Sequence, residues 1–455
     1  MNSVDDKISK LDMLDEGIPQ DAWYKNVAII GLGFVGLPLA LSFSLRGCNV
    51  IGVDINERLV EDINKGLTAH KESFYDVSIG EILKRQISKG TFRAISDISS
   101  VFGSCSNYII TVGIPIINGV HVMDYLESAC TELGKGIKSG DLIVVRSTVI
   151  PGTTEEIIKP LLESTSGLKA GKDFYLAYSS ERIAEGRAFQ EFADMPILVA
   201  GIDESSTNRA AELLKIVCKA DVIPASSIKV VETAKVFENV QRDVNIAMVQ
   251  EFARFTEALG IDIFEVVNLA NTHKRVNLLT PGPGVGGYCL PNAYYYLKPK
   301  AEQMGLSLNL LELARKENDS IPYIIVNMLE NALKLNGKSL KDSNIAVLGL
   351  AMKDYSNDSR ISPPLEIVDI LLENQAYVKA FDPAVDENYS YKVDDIDECI
   401  DGADAILILA RQHEIDDNIN RILARVKNGT VVLDTRNIRK IIEPALLSRV
   451  RYVSI

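Results

Sequence analysis

Histidine and cysteine are scarce in this chain, with four and six among 455 residues. The cysteines, Cys48, Cys105, Cys130, Cys218, Cys289 and Cys399, form no CxxC pair and no metal-like spacing, which excludes a disulfide framework and a structural zinc site. No metal is expected. Positive charge is also short: 48 Lys and Arg face 62 Asp and Glu, a net of −14, so a general grip on nucleic acid or an anionic membrane is disfavoured. An anionic small molecule would then need cations gathered locally. No apolar run reaches the roughly 20 residues of a membrane-spanning helix. The opening segment MNSVDDKISKLDMLDEGIPQDAW is acidic and polar, unlike a secretory signal, so the expected location is the cytoplasm.

What is present is a globular composition, 47% hydrophobic and 24% charged, at a length that predicts about three domains. After an N-terminal extension (1–24), VAIIG (27–31), NVIGVD (49–54), YIITV (108–112), LIVVRST (142–148), FYLAYSS (174–180) and PILVAG (196–201) read as strands separated by crossover helices. This predicts a parallel α/β sheet over 25–224. From Ser226 to Leu259 there is no Pro or Gly and apolar residues recur at helical spacing, which predicts one long helix ended by Gly260. That helix opens a central region, 225–335, and offers a face for dimerisation. NIAVLGL (344–350), YVKAFDP (377–383), DAILILA (404–410) and TVVLDT (430–435) then predict a second nucleotide-type fold over 336–455, without a glycine-rich first turn.

Three motifs carry chemistry. Gly31-Leu32-Gly33-Phe34-Val35-Gly36 follows the first strand and opens a helix expected to be amphipathic. Its glycines allow a tight turn, backbone approach to a pyrophosphate and close helix–strand packing. Alone it is a weak signal, but the next strand ends at Asp54, where a carboxylate can accept the hydrogen bonds of an adenosine ribose diol. A carboxylate there repels a 2′-phosphate, so NAD is preferred to NADP, with Arg58 as the one nearby cation. The second motif, Glu232-x-x-Lys235-x-x-x-Asn239, puts Lys235 and Asn239 on one helix face, where an ammonium and an amide could act on one oxygen; alone it equally fits a solvated face. The third is the glycine-rich TPGPGVGGYCLP (280–291), whose glycines would let the backbone pass close to a ligand and which sets Cys289 in an irregular segment, whereas the other cysteines read as small buried side chains.

Together with RSTVIPGTT (146–154), SSERIAEGRA (179–188), ETAKVFENV (232–240), VLGLAMKDYSNDSRISPP (347–364) and LDTRN (433–437), these motifs make the chain resemble the NAD-dependent nucleotide-sugar 6-dehydrogenases, from about residue 25 to the C-terminus. The resemblance implies an α/β fold of two Rossmann-like domains joined by a central long helix and a helical dimerisation domain. It also implies oxidation of a sugar C6 alcohol to a carboxylate with two NAD. NAD would lie on Gly31, Gly33, Phe34, Val35, Gly36, Asp54, Arg58, Thr111 and Thr148. Lys235 and Asn239 would stabilise charge developing on O6. Cys289 would form a thiohemiacetal and then a thioester, and Glu181 would act as general base for its hydrolysis, with Thr148 holding water or nicotinamide. The UDP-sugar would contact Glu181, Arg182, Ile183, Lys235, Asn239, Arg275, Gly286, Lys353, Arg360 and Arg436, with Arg275 reaching across a homodimer. The PGPGVGG loop and HKRVN (273–277) are most similar to members acting on UDP-N-acetylhexosamines, the N-acetylmannosamine type among them.

The sequence departs from the family pattern where an aspartate is expected four residues after the cysteine and Ala293 stands instead. Ser180, Tyr288 and Gly113-Ile114-Pro115 are milder departures. Ala293 leaves two readings: Glu181 suffices for the full four-electron oxidation, or the enzyme performs a single step or only binds a nucleotide sugar because thioester hydrolysis is impaired. A β-hydroxyacid dehydrogenase shares the Lys-x-x-x-Asn helix but needs neither Cys289 nor a second α/β domain.

Overall fold

The computed structural model describes residues 10–15, 17–117, 119–184 and 186–455. The first nine residues of the expected extension, and residue 16, therefore lie outside the described residues. The chain divides into two compact units, Met1–Phe237 with Tyr295–Met304, and Glu238–Tyr294 with Gly305–Ile455. Each is built on its own sheet.

The main sheet of the first unit has eight strands: β1 (Asn26–Ile30), β2 (Asn49–Val53), β3 (Phe92–Ile95), β4 (Asn107–Ile110), β5 (Leu142–Val145), β6 (Tyr175–Ser179), β7 (Ile197–Gly201) and β8 (Val222–Pro224). Their order is β8-β7-β6-β5-β4-β1-β2-β3, which contains the doubly wound 3-2-1-4-5-6 arrangement. The strands read as unbroken apolar runs because both faces are covered. Val27 and Ile29 enter one core while Ala28 and Ile30 enter the other. The expected all-parallel sheet is corrected at one pairing, since β7 runs antiparallel to β6; an apolar run specifies burial but not direction.

The helix Gly36–Leu45 is also corrected. All ten of its residues are buried, because it packs on β1 and β2 and against the helices Ile79–Ser88 and Ala188–Asp194. A helix enclosed on every side needs no polar face. The described part of the extension docks here too. Leu11, Leu14 and Ile18 join the core, and the buried Lys25 ammonium donates to the carbonyls of Ile18 and Gly47 at 2.9 and 2.7 Å.

The long helix spans Ile228–Leu259 and ends at Gly260 with φ +70°, a left-handed stop. In the second unit, its Asp243 is paired with Arg315 at 2.5 Å and accepts from the Asn318 amide at 2.9 Å, all three buried. Burial pushes the Asp243 carboxyl up to about 6 against the opposing pull of Arg315.

The second sheet has β9 (Asn344–Leu348), β10 (Tyr377–Phe381), β11 (Ala405–Ile408), β12 (Val431–Asp434) and β13 (Arg451–Ser454), all parallel in the order β10-β9-β11-β12-β13. This is the other common doubly wound order, 2-1-3-4-5. Among the described residues no helix is long and apolar enough to cross a membrane.

Candidate functional site

In a doubly wound sheet, ligands bind outside the carboxyl ends of the strands where the strand order reverses. In the first unit that point lies between β1 and β4. A cleft of about 480 Å³ opens there, lined by Gly31, Gly33, Asp54, Thr111, Asp97, Tyr125 and neighbouring residues. The glycines do different work. A Cβ on Gly36 would stand 1.8 Å from the Gly31 carbonyl oxygen, so only glycine lets the helix start against the strand. A Cβ on Gly33 would meet no protein atom within 4 Å, so its missing side chain leaves open space. Asp54 accepts from the Leu32 N–H at 2.8 Å and the Asn56 N–H at 2.9 Å, which fixes its carboxylate at the end of β2. Thr111 donates to the Gly31 carbonyl at 2.7 Å. Phe34 packs against His70 with ring centres 5.0 Å apart, and Val35 is the cap residue of the helix. Arg58 is exposed on the helix Glu57–Asn64 and is not among the residues lining the cleft.

A second polar group sits at the ends of the neighbouring strands β5 and β6. Arg146 donates through Nε to Glu181 at 2.6 Å and through Nη1 to the Ser179 hydroxyl at 3.3 Å. The guanidinium also lies 5.4 Å from the centre of the Phe192 ring. The other Glu181 oxygen accepts the Ile183 N–H at 2.8 Å. Glu181 is thus a buried, doubly held carboxylate, and half-buried Thr148 follows two residues after Arg146. Arg182 points away to the Pro196 carbonyl at 2.9 Å, and Ile183 packs on the core.

On the long helix, Lys235 and Asn239 are both buried rather than solvated. Glu232, one turn earlier, accepts the N–H groups of Gly152 and Thr154 at 2.5 and 3.0 Å and so anchors the RSTVIPGTT loop. Burial pushes its carboxyl up while those donors pull it down.

In the second unit the glycine loop lies against the segment that follows β9. The Gly287 N–H donates to the carbonyls of Arg360 and Ile361 at 3.3 Å, and the Arg360 guanidinium lies 5.4 Å from the Tyr288 ring centre. A Cβ on Gly286 would stand 2.6 Å from the Ile361 carbonyl, and one on Gly282 would stand 2.6 Å from Arg436 Nη1. On their Cβ side those glycines admit the protein's own chain. Cys289 is exposed and, at the end of the glycine loop as expected, is the first residue of the helix Cys289–Gln303 rather than part of an irregular segment.

Two of the cations expected to grip a diphosphate are held by carboxylates. Arg360 is bidentate to Asp358 at 2.8 and 2.6 Å, and Arg436, just past β12, is bidentate to Asp354 at 2.7 and 2.6 Å. Lys353 is half-buried in the same segment. Arg275 is exposed, its backbone N–H bonded to the His273 ring at 3.3 Å. Sequence reasoning missed Arg146, Asp354 and Asp358 as partners. The signal for Asp358 was present, since an aspartate two residues before an arginine readily accepts that residue's N–H, as it does here at 3.0 Å. Among the described residues no three of His, Cys, Asp and Glu gather where a metal could bind.

Comparison with known proteins covers all these segments. Residues 25–219 match the NAD binding domain of the UDP-glucose/GDP-mannose dehydrogenase family, 229–320 its central domain and 346–441 its UDP binding domain. A UDP-N-acetyl-D-mannosamine dehydrogenase of Pyrococcus horikoshii is 34% identical over 91% of this chain and 96% of its own length. A solved structure of UDP-D-ManNAc dehydrogenase from the same organism superposes with a TM-score of 0.84 at 33% identity, covering 94% of this chain and 99% of that one. An NDP-N-acetyl-D-galactosaminuronic acid dehydrogenase of Methanosarcina mazei gives 0.79 at 30% identity, covering 98% and 97%.

Proposed function

The chain belongs to the UDP-glucose/GDP-mannose dehydrogenase family and is an NAD-dependent oxidoreductase of UDP-sugars, and we propose that it oxidises the C6 alcohol of a UDP-N-acetylhexosamine, of the N-acetyl-D-mannosamine type, to the uronate. NAD, when bound, accepts the hydride of each oxidation. Gly31, Gly33, Gly36, Asp54 and Thr111 would hold it, and the open space at Gly33 fits a backbone approach to pyrophosphate. Each Asp54 oxygen already accepts one N–H and keeps a second acceptor site for a ribose hydroxyl.

In the first oxidation Lys235 and Asn239 stabilise the negative charge that grows on O6 as its proton leaves. The Cys289 sulfur then adds to the aldehyde carbon, and oxidation of that adduct leaves a thioester. Glu181 takes a proton from the water that cleaves it, and Thr148 helps hold that water. Lys353, Arg360 and Arg436 neutralise the diphosphate. The observation that carries this reading is the contact of the loop ending at the exposed Cys289 with the segment bearing Arg360 at the carboxyl end of the second sheet.

The test is Cys289→Ser. It is expected to abolish uronate formation while substrate and NAD still bind, measured by product mass and by titration; uronate made at the wild-type rate contradicts the thioester route. A second reading, a single-step dehydrogenase, is motivated by Ala293, which is buried and carries no carboxylate. Under it, the wild-type protein itself stalls as an aldehyde or a covalent adduct. We further propose a homodimer formed through the long helix, supported by the exposed Phe252, Phe255 and Leu259 at helical spacing along it; light scattering that gives a monomer mass would refute it.

A further inference from the structure

We propose that Arg146 is a positioning residue for hydrolysis of the thioester, acting through Glu181; this rests on the reading of Glu181 as general base. A carboxylate free to rotate would take a proton from water in only a fraction of its orientations, and Glu181 is held through both oxygens. Arg146 Nε holds one oxygen at 2.6 Å and the Ile183 N–H holds the other at 2.8 Å.

Arg146 is itself fixed on three sides, by Glu181, by the Ser179 hydroxyl and by the Phe192 ring. Its side chain is 1% exposed and that of Glu181 10%. The frame behind them is rigid. Val145 and Tyr178 are partners in the parallel β5–β6 pair, so Arg146 and Ser179 leave adjacent strands side by side. A carboxylate offers about four acceptor sites, and the two bonds above use one on each oxygen. The remaining sites are where a water can be bound and deprotonated.

In the step proposed, the oxygen of that water bonds to the acyl carbon and its proton passes to Glu181. The carbon–sulfur bond then breaks with its electron pair returning to Cys289. No oxidant is consumed in this step. Arg146 exchanges no atom or proton in this step; it sets the direction of the base.

The experiment mixes each variant with NAD and UDP-N-acetyl-D-mannosamine and follows acyl-enzyme by intact mass alongside NADH release. Glu181→Gln is expected to accumulate the acyl-enzyme, with hydrolysis slowed on the order of 100-fold. Arg146→Gln should accumulate it as well, with hydrolysis slowed roughly tenfold or more and the first NADH burst retained. Arg146→Lys, which keeps the charge but not the Nε geometry, should lie between Arg146→Gln and wild type.

Removing one partner of a buried pair risks unfolding, so the Arg146→Gln, Glu181→Gln double variant supplies an uncharged pair in the same place. Its hydrolysis rate should equal that of Glu181→Gln alone, because a residue acting through another adds nothing once that other is gone. Accumulation in Glu181→Gln but none in either Arg146 variant overturns the role of Arg146 and leaves that of Glu181. No accumulation in Glu181→Gln overturns both. A uniform loss of every step in Arg146→Lys, without adduct, marks a merely structural residue and also overturns the proposal.

Discussion

The two sheets solve one problem, the capture of a nucleotide diphosphate, in different ways. In the first unit the turn after β1 offers a backbone: Gly36 lets the helix begin against the strand, and Gly33 leaves its space open. In the second unit the turn after β9 is not glycine-rich, and the positive groups proposed to meet the diphosphate are side chains, Arg360 and Arg436, each clamped by an aspartate. A backbone site is built by what is left out, whereas a side-chain site is built by what is added and then oriented. The first should be sensitive to added atoms and the second to removed ones.

Three changes press on that contrast. Gly36→Ala should have the largest effect, because the new Cβ would fall 1.8 Å from a backbone oxygen that cannot move aside. A loss of more than about 4 kcal/mol is expected, read as an early melting transition. Gly33→Ala and Arg436→Met should split cleanly in binding. The first should weaken NAD at least about tenfold, with stability within about 0.5 kcal/mol and UDP affinity unchanged. The second should weaken UDP by roughly 10- to 100-fold, with NAD affinity unchanged, since a hydrogen bond to a charged group contributes about 1.5–3 kcal/mol. Calorimetric titration of both ligands into both variants checks the split, and a Gly33→Ala that lowers UDP affinity as much as NAD affinity would undo it.

The smallest functional effect is expected at Asp243, whose buried pair with Arg315 belongs to neither site. Burial raises its folded carboxyl to about 6, above the ordinary aspartate range of about 4. The protonated form is thus favoured by folding. Its contribution to stability is full below about pH 4 and is lost as pH rises through about 6. Asp243→Asn should flatten the stability curve between those values by on the order of 1–3 kcal/mol, measured by urea unfolding across pH, with ligand affinities unchanged.

Much of this arrangement was legible in the chain. The glycine turn, the strand that ends at Asp54 and the long helix, expected over 226–259 and found over Ile228–Leu259, follow from local rules of sterics and periodicity. The short edge strands Phe92–Ile95 and Arg451–Ser454 were not legible, since each is only four residues long and shows no clean alternation of apolar and polar residues. The antiparallel turn of β7 and the all-round burial of the Gly36–Leu45 helix depend on neighbours distant in sequence. So do the pairings at the candidate site. Arg146 and Glu181 are 35 residues apart, and Arg436 and Asp354 are 82 apart. Motif spacing brought out the residues proposed to act on a ligand but not the partners that hold them.

The most direct measurement counts NADH released per UDP-N-acetyl-D-mannosamine consumed by the wild-type protein and identifies the product by mass. Two NADH and the uronate are expected, with no lasting covalent adduct despite Ala293. One NADH with an aldehyde or a persistent acyl-enzyme would contradict the four-electron account.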